Sequence, residues 1–246
     1  MTTVSPAQDA AAPAQRSAGT SRLDSYRTFT NTVTQICRRD PGARSALRSG
    51  VRKDLDAAPR MHQVIAHLVP PHAGEDTQRA YYAVAAMIAE QTRRQGTTPP
   101  PEEADDNAVL EPADTSPTAR ATAAEDGAAT TPEYGMSLGA SFALAVLAGP
   151  GSQRRMRRST AESRLNLLCK QGVNGLHRHL PASTRYLRSL DAPVDWARLL
   201  QDLADWRRHS ARITRRWLQD YYRRCQEADR RAADHKDQQE QADADD

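Results

Sequence analysis

A chain of 246 residues with 26% charged and only 5% aromatic residues, rich in Ala, Leu and Arg, is long enough for one large domain or two small ones and is biased toward helix over sheet. No run approaches the ~20 apolar residues of a membrane span, and the N-terminus lacks the apolar stretch of a secretory signal. Three widely spaced cysteines, Cys37, Cys169 and Cys225, point to free thiols in a reducing cytoplasm rather than to a disulfide framework.

In chain order, residues 1–20 hold almost no large apolar side chain and are expected to be disordered. Leu23, Tyr26, Phe29, Val33 and Ile36 recur at three- and four-residue steps, which predicts one buried helical face. Asp40–Pro41 offers an N-cap followed by proline in the first helical turn, with Gly50 where a C-terminal cap falls. A short helix is expected after Pro59 on Met61, Ile65 and Leu68, ending before Pro70–Pro71. Asp76 or Thr77 then caps a longer helix carrying Tyr81, Val84, Ala85 and Ile88.

The segment from about Gln95 to Pro132 opens on prolines and continues in Thr, Ala, Asp and Glu; it reads as a flexible acidic insertion. Helical patterning resumes with Leu138, Phe142, Ala145 and Val146. Ser159 and Glu162 have capping-box spacing ahead of Leu165, Leu168 and Cys169, and Gly172 stops that helix. Leu176 and Leu180 lead to Pro181, which is expected to open a fresh helix with Leu187 and Leu190. Val194, Leu199, Leu200, Leu203 and Trp206, then Ile213, Trp217, Leu218 and Tyr221, complete the pattern. The prediction is an all-α fold of about nine helices: two small bundles, 21–95 and 134–224, joined by a disordered acidic insertion at 96–133. An acidic tail, 225–246, is expected to extend the last helix by a turn or two.

Charge divides along the same boundaries. Nine acidic residues against Arg120 give the insertion −8, eight acidic against three basic give the tail −5, and the first twenty residues cancel. Removing these from the net +3 of the whole chain leaves +16 on the two helical regions. A surface that basic draws a polyanion over about one Debye length, ~8–10 Å at physiological salt.

Catalytic and metal chemistry find little support. His177 and His179, two apart, point in different directions on a helix, His62 and His67 are five apart, and no Cys pair has ligand spacing, so no metal or other cofactor is expected. Cys37 and Cys169 fall on apolar faces, where a thiol behaves as a small hydrophobe. Gly149–Pro150–Gly151 lacks the Lys-Ser/Thr of a phosphate loop. An enzyme is not expected.

The arginines are patterned. Arg44, Arg48 and Arg52 recur at steps of four with no intervening acid, which places them on one face of a continuous helix. Arg154, Arg155, Arg157 and Arg158 form a basic loop, and Arg164, Lys170 and Arg178 continue the series, with His177, Arg185 and Arg188 beside it. Solvated faces of an Arg-rich protein would look similar, but +16 exceeds what solubility requires. The Arg/Ala-rich segment Arg39–Gly50 lacks the pattern of a base-reading helix-turn-helix, so sequence-independent, salt-sensitive contact with phosphates fits better.

Five strings then carry a resemblance: RRDPGARSALRSG (Arg38–Gly50), AYYAVAAMIA (Ala80–Ala89), SLGASFALAV (Ser137–Val146), SRLNLLCKQGVNGLHRHLP (Ser163–Pro181), and VDWARLLQDLADW with WLQDYYR (Val194–Trp206, Trp217–Arg223). In order and spacing they resemble the CasB family, the small subunit of the type I-E CRISPR complex Cascade. The resemblance implies an all-helical, non-catalytic subunit present as two head-to-tail copies. Its implied partners are the backbone and large subunits of Cascade, a second copy of itself, the CRISPR RNA–target DNA hybrid and the displaced DNA strand, in the cytoplasm and without a membrane. Matched position by position, it assigns nucleic-acid contacts to Arg44, Arg48, Arg164 and Lys170, the last a Lys where the family more often has Arg. The long N-terminus, the acidic tail and above all the 96–133 insertion depart from the family pattern. That insertion is expected either to loop into solvent or to compete weakly with nucleic acid. A stand-alone helical, sequence-nonspecific DNA- or RNA-binding protein is the alternative.

Overall fold

Asp40 sets the first helix boundary: its Oδ1 accepts hydrogen bonds from the backbone N–H groups of Gly42 and Ala43 at 2.8 and 3.0 Å, while Pro41 takes the first helical position. It separates α1 (Ala11–Arg39) from α2 (Pro41–Arg48) in a computed structural model that describes residues 11–91, 133–147 and 155–244. The other helices are α3 (Pro59–Ile65), α4 (Glu75–Gln91), α5 (Leu138–Leu147), α6 (Arg158–Cys169), α7 (Val173–Ser189) and α8 (Trp196–Ala244). Two single 3-10 turns, Leu55–Ala57 and Ala66–Leu68, flank α3. Among the described residues there is no strand, and no helix is long and apolar enough to cross a membrane.

The expected apolar face of α1 is buried: Leu23, Tyr26, Phe29, Val33 and Cys37 all turn inward. Tyr81 of α4 meets it edge-on, its ring 5.6 Å from Tyr26 and 4.6 Å from Phe29. Almost every residue of α4 from Ala80 to Ala89 is buried, because the helix is covered on several sides by α1, α2, α7 and α8. The helices of 21–95 and 134–224 therefore meet over one continuous core, in which the rings of Trp206 and Trp217 of α8 lie 5.2 Å apart, tilted by 39°.

Several boundaries differ from expectation. α1 starts at Ala11, within the segment expected to lack structure, where Ala and Gln carry high helix propensity. Pro181 does not open a helix: it is buried inside a continuous α7, and the Thr184 hydroxyl next to it donates to the carbonyls of Leu180 and Pro181. Ser159 and Glu162 form no capping box. α6 begins at Arg158 after Arg157 with no side-chain cap, which puts Ser159 inside the helix, and one Arg158 guanidinium nitrogen donates to both carboxylate oxygens of Asp229 on α8 at 3.0 Å. The two tryptophan segments lie on one helix bent at His209, whose φ of −132° and ψ of 22° leave the helical region. With α8 counted as one helix across its bend there are eight α-helices among the described residues, in line with the all-α fold of about nine that was expected. α8 also outruns the turn or two expected past 225, supported by Glu227–Arg231 and Lys236–Glu240 pairs four residues apart. The acidic insertion lies outside the described residues, save Glu133, which pairs with Arg224 at 2.8 Å.

Carboxylates on α8 join the parts. Asp195 caps α8 through the Arg198 N–H at 3.0 Å, while its other oxygen accepts the Gly135 N–H at 2.8 Å and faces Arg27 at 3.6 Å. Buried Asp202 meets Arg198, Arg216 and the Trp217 indole N–H. Burial pushes its carboxyl up to about 7, against the pull of Arg198 and the indole bond.

Candidate nucleic-acid interface

The helix that starts at Asp40 ends at Arg48, so Arg44, Arg48 and Arg52 do not share one helical face as expected. The chain turns at Gly50, where a Cβ would fall 1.9 Å from the Met61 sulfur, so any larger residue there would have to displace that side chain of α3. Arg52 follows with φ of 62°, a left-handed conformation that swings it off the α2 axis. Arg44 turns the other way. Its Nε donates to the Ala89 carbonyl at 3.1 Å, half-buried against the last turn of α4.

Arg52 instead enters a groove of about 770 Å³ between the 50–54 loop, α4 and α7. The loop supplies Arg52, Lys53 and Asp54, α4 supplies Arg79, and α7 supplies Asn174, His177, Arg178 and His179. Arg79 pins the walls together by donating to Asp54 on one side and Asn174 on the other. Asp54 thus cancels Arg79, and Arg52, Lys53 and Arg178 remain as three uncancelled cations on exposed side chains. His177 is buried at the groove's base, and desolvation, with help from Arg79, pushes its imidazole down to about 4. It is therefore a neutral hydrogen-bonding group at physiological pH and adds no charge.

The remaining sequence-predicted residues sort by partner. Arg158 is held by Asp229, and the Arg164 guanidinium lies 4.6 Å from the centre of the Tyr186 ring. Arg48, Arg155, Arg157 and Lys170, like Arg52 and Arg178, are exposed and meet no acid among the described residues. Arg154 lies outside those residues. Lys170 stands at the α6–α7 turn, four residues ahead of Asn174 in the groove, whereas Arg155 and Arg157 do not line it. Lys53 and Arg79 escaped the sequence reading. Lys53 was legible as the neighbour of Arg52; Arg79 was not, because its partners lie 25 and 95 residues away.

Among the described residues, fold and groove together define a strand-free helical protein with a cationic face, and no group of His, Cys, Asp or Glu there could hold a metal ion. The chain belongs to the CRISPR-associated Cse2 family, also called CasB, whose family model matches residues 43–222. It is similar to a solved chain of a CRISPR RNA-guided surveillance complex at 31% identity, with a TM-score of 0.61, over 86% of this chain and 99% of that one. A second, from a CRISPR RNA-guided surveillance complex in a pre-nicking state, is 28% identical with a TM-score of 0.60, over 85% and 98%. Comparison with curated proteins gives no match.

Proposed function

We propose that this protein is a non-catalytic small subunit of a CRISPR RNA-guided surveillance complex, and that it stabilises the complex and its R-loop by gripping nucleic-acid backbone. Its partners on this reading are the other Cascade subunits, a second copy of itself, the CRISPR RNA–target DNA hybrid and the displaced strand. The observation that carries the reading is the groove, where Arg52 and Lys53 of the 50–54 loop and Arg178 of α7 line one cleft and meet no acid among the described residues. R-loop formation is nearly balanced, since the RNA–DNA hybrid is about as stable as the duplex it replaces, so a few phosphate contacts decide its lifetime. The groove offers charge without a base-reading helix, which suits contact with any sequence.

The test replaces Arg52, Lys53 and Arg178 together by Ala in a reconstituted complex and follows R-loop lifetime across a salt series. Three lost phosphate contacts flatten the log–log salt dependence by roughly 2 to 3. An unchanged lifetime and slope would remove the groove from the function. Purification of the chain without guide RNA or other subunits would favour a stand-alone binder.

A further inference from the structure

We propose that the acidic end of α8, from Ala232 onward, docks on the cationic groove of a second copy of this chain. It rests on the reading above for the second copy and for the groove's attraction to anions, and on no nucleic-acid contact.

Past its packed part, α8 continues without support. Cys225 is its last buried side chain, Ala228 is half-buried, and Asp229 makes its last bond to another element among the described residues, at Arg158. From Arg230 to Gln241 every side chain is exposed, and the ion pairs there, Glu227–Arg231 and Lys236–Glu240, stay within the helix. Arg230–Ala244 extends α8 by about 22 Å at ~1.5 Å per residue. A helix that is polar all round either bridges to another surface or depends on pairs along its own side, and two exposed pairs are weak support. The residues matched by the family model end at 222, so this arm lies outside them.

The arm's charge is one-sided. Between Ala232 and Asp246 six acids stand against Lys236, a net −5. Lys236 is bonded to Glu240, whereas Asp234 and Asp237, exposed and one turn apart, meet no cation among the described residues.

The groove is the complement. Arg52, Lys53 and Arg178 line it and meet no acid among the described residues, and its one carboxylate, Asp54, is bound to Arg79. Clusters of basic side chains recognise acidic segments in this way. At about 770 Å³ the groove takes side chains from one face of a helix rather than a helix ~10–12 Å across.

The two surfaces do not meet within one molecule. No residue of α8 lines the groove, and Asp234 and Asp237 are exposed. The one non-helical residue of α8, His209, lies ahead of the packed stretch, so the arm has no joint on which to fold back. A second copy brings arm and groove together without bending either.

The test is sedimentation velocity of the full chain from about 0.05 to 0.3 M salt, where the wild type should associate at the low end and come apart as the screening length falls. Two full-chain variants each remove one side: Asp234→Asn/Asp237→Asn/Glu240→Gln the arm, and Arg52→Ala/Lys53→Ala/Arg178→Ala the groove. Each alone should associate about tenfold more weakly at low salt, with its circular dichroism unchanged. Mixed, the two variants should pair one to one, since one keeps its arm and the other its groove. Bismaleimide coupling of Lys53→Cys to Asp237→Cys, both in a Cys169→Ser background, should join two chains, while Arg155→Cys, outside the groove, should replace Lys53→Cys poorly. A wild type that stays monomeric at low salt, an arm variant that associates as strongly as the wild type, or a mixture that fails to pair overturns the proposal. R-loop lifetime with the same groove variant keeps the two readings apart. An unchanged lifetime with successful pairing removes nucleic acid from the groove and leaves the arm in it, and a shortened lifetime with failed pairing does the reverse.

Discussion

Gly139→Ala should cost the protein several degrees of thermal stability, although alanine is the better helix former. Gly139 lies in the first turn of α5, fully inside the core, where α5 crosses α8. A Cβ there would fall 1.8 Å from the Trp217 carbonyl oxygen, 2.5 Å from its carbon and 2.8 Å from its Cα. These are backbone atoms of the facing helix, so no side chain can rotate out of the way. Nor can α8 easily retreat, because the Trp217 indole is bonded to Asp202 at 2.7 Å and Asp220 accepts from Ser137 at 2.6 Å just before α5. Alanine gains about 1 kcal/mol of helix propensity and backbone entropy. Forcing two packed backbones apart typically costs about 1–3 kcal/mol, and the top of that range applies where neither can yield, so the clash wins by about 2 kcal/mol. For a chain of this size that is roughly 4–8 °C in Tm, read by thermal circular dichroism. Gly74→Ala is the control, since a Cβ at Gly74 meets nothing within 4 Å. A Gly139→Ala protein that melts at or above the wild-type temperature would show that α5 and α8 are not in backbone contact.

His177 predicts acid sensitivity. Its folded value of about 4 lies below the ordinary 6.5, so on acidification the unfolded chain takes up a proton that the folded one refuses. This contribution to stability is fully present above pH 6.5 and is lost as pH falls from there toward 4. The loss is about 2 kcal/mol between pH 7 and pH 5, and guanidinium unfolding of the wild type and His177→Gln at both pH values measures it. An acid slope that survives the substitution assigns the sensitivity to another group. Asp40→Ala should lower Tm by about 2–4 °C through loss of the α2 cap, while Asp40→Asn, which keeps an acceptor, should not; equal effects would mean that the cap contributes nothing.

Local features were legible in the sequence because their causes lie within a few residues. The Asp40–Pro41 start, the Pro59 start and the buried stripe Leu23, Tyr26, Phe29 and Val33 each follow from spacing or capping alone. Pro181 misled because a rule about isolated helices was outweighed by burial of its ring in the core. Ser159 and Glu162 misled because α6 already begins at Arg158, so Ser159 lies within its first turn rather than at the cap. Arg44, Arg48 and Arg52 had the right spacing for one face, but the helix ended between the second and third. The groove depended on Arg79 reaching two partners distant in the chain, which no local pattern encodes.

What separates a structural arginine from a binding one in this chain is where the acids stand. Asp195, Asp202 and Asp205, all near the start of α8, face Arg27, Arg198, Arg216 and Arg22 and bind α1 and the bend of α8 to the core. Asp76 does the same for Arg207. These acids are themselves buried or half-buried, but the arginines they hold range from half-buried Arg198 and Arg216 to exposed Arg22 and Arg207. The strongly acidic segments make exposed contacts instead: Glu133 on Arg224 is 72% exposed and Asp229 on Arg158 is 59% exposed. Exposed pairs of that kind contribute about 0–1 kcal/mol each and weaken further with salt. They cannot discharge a surplus of +16 spread over two helical regions. The net charge of +3 is therefore a poor guide to how this surface meets a polyanion, and the salt slope of nucleic-acid binding should track the exposed cations of the groove rather than the total.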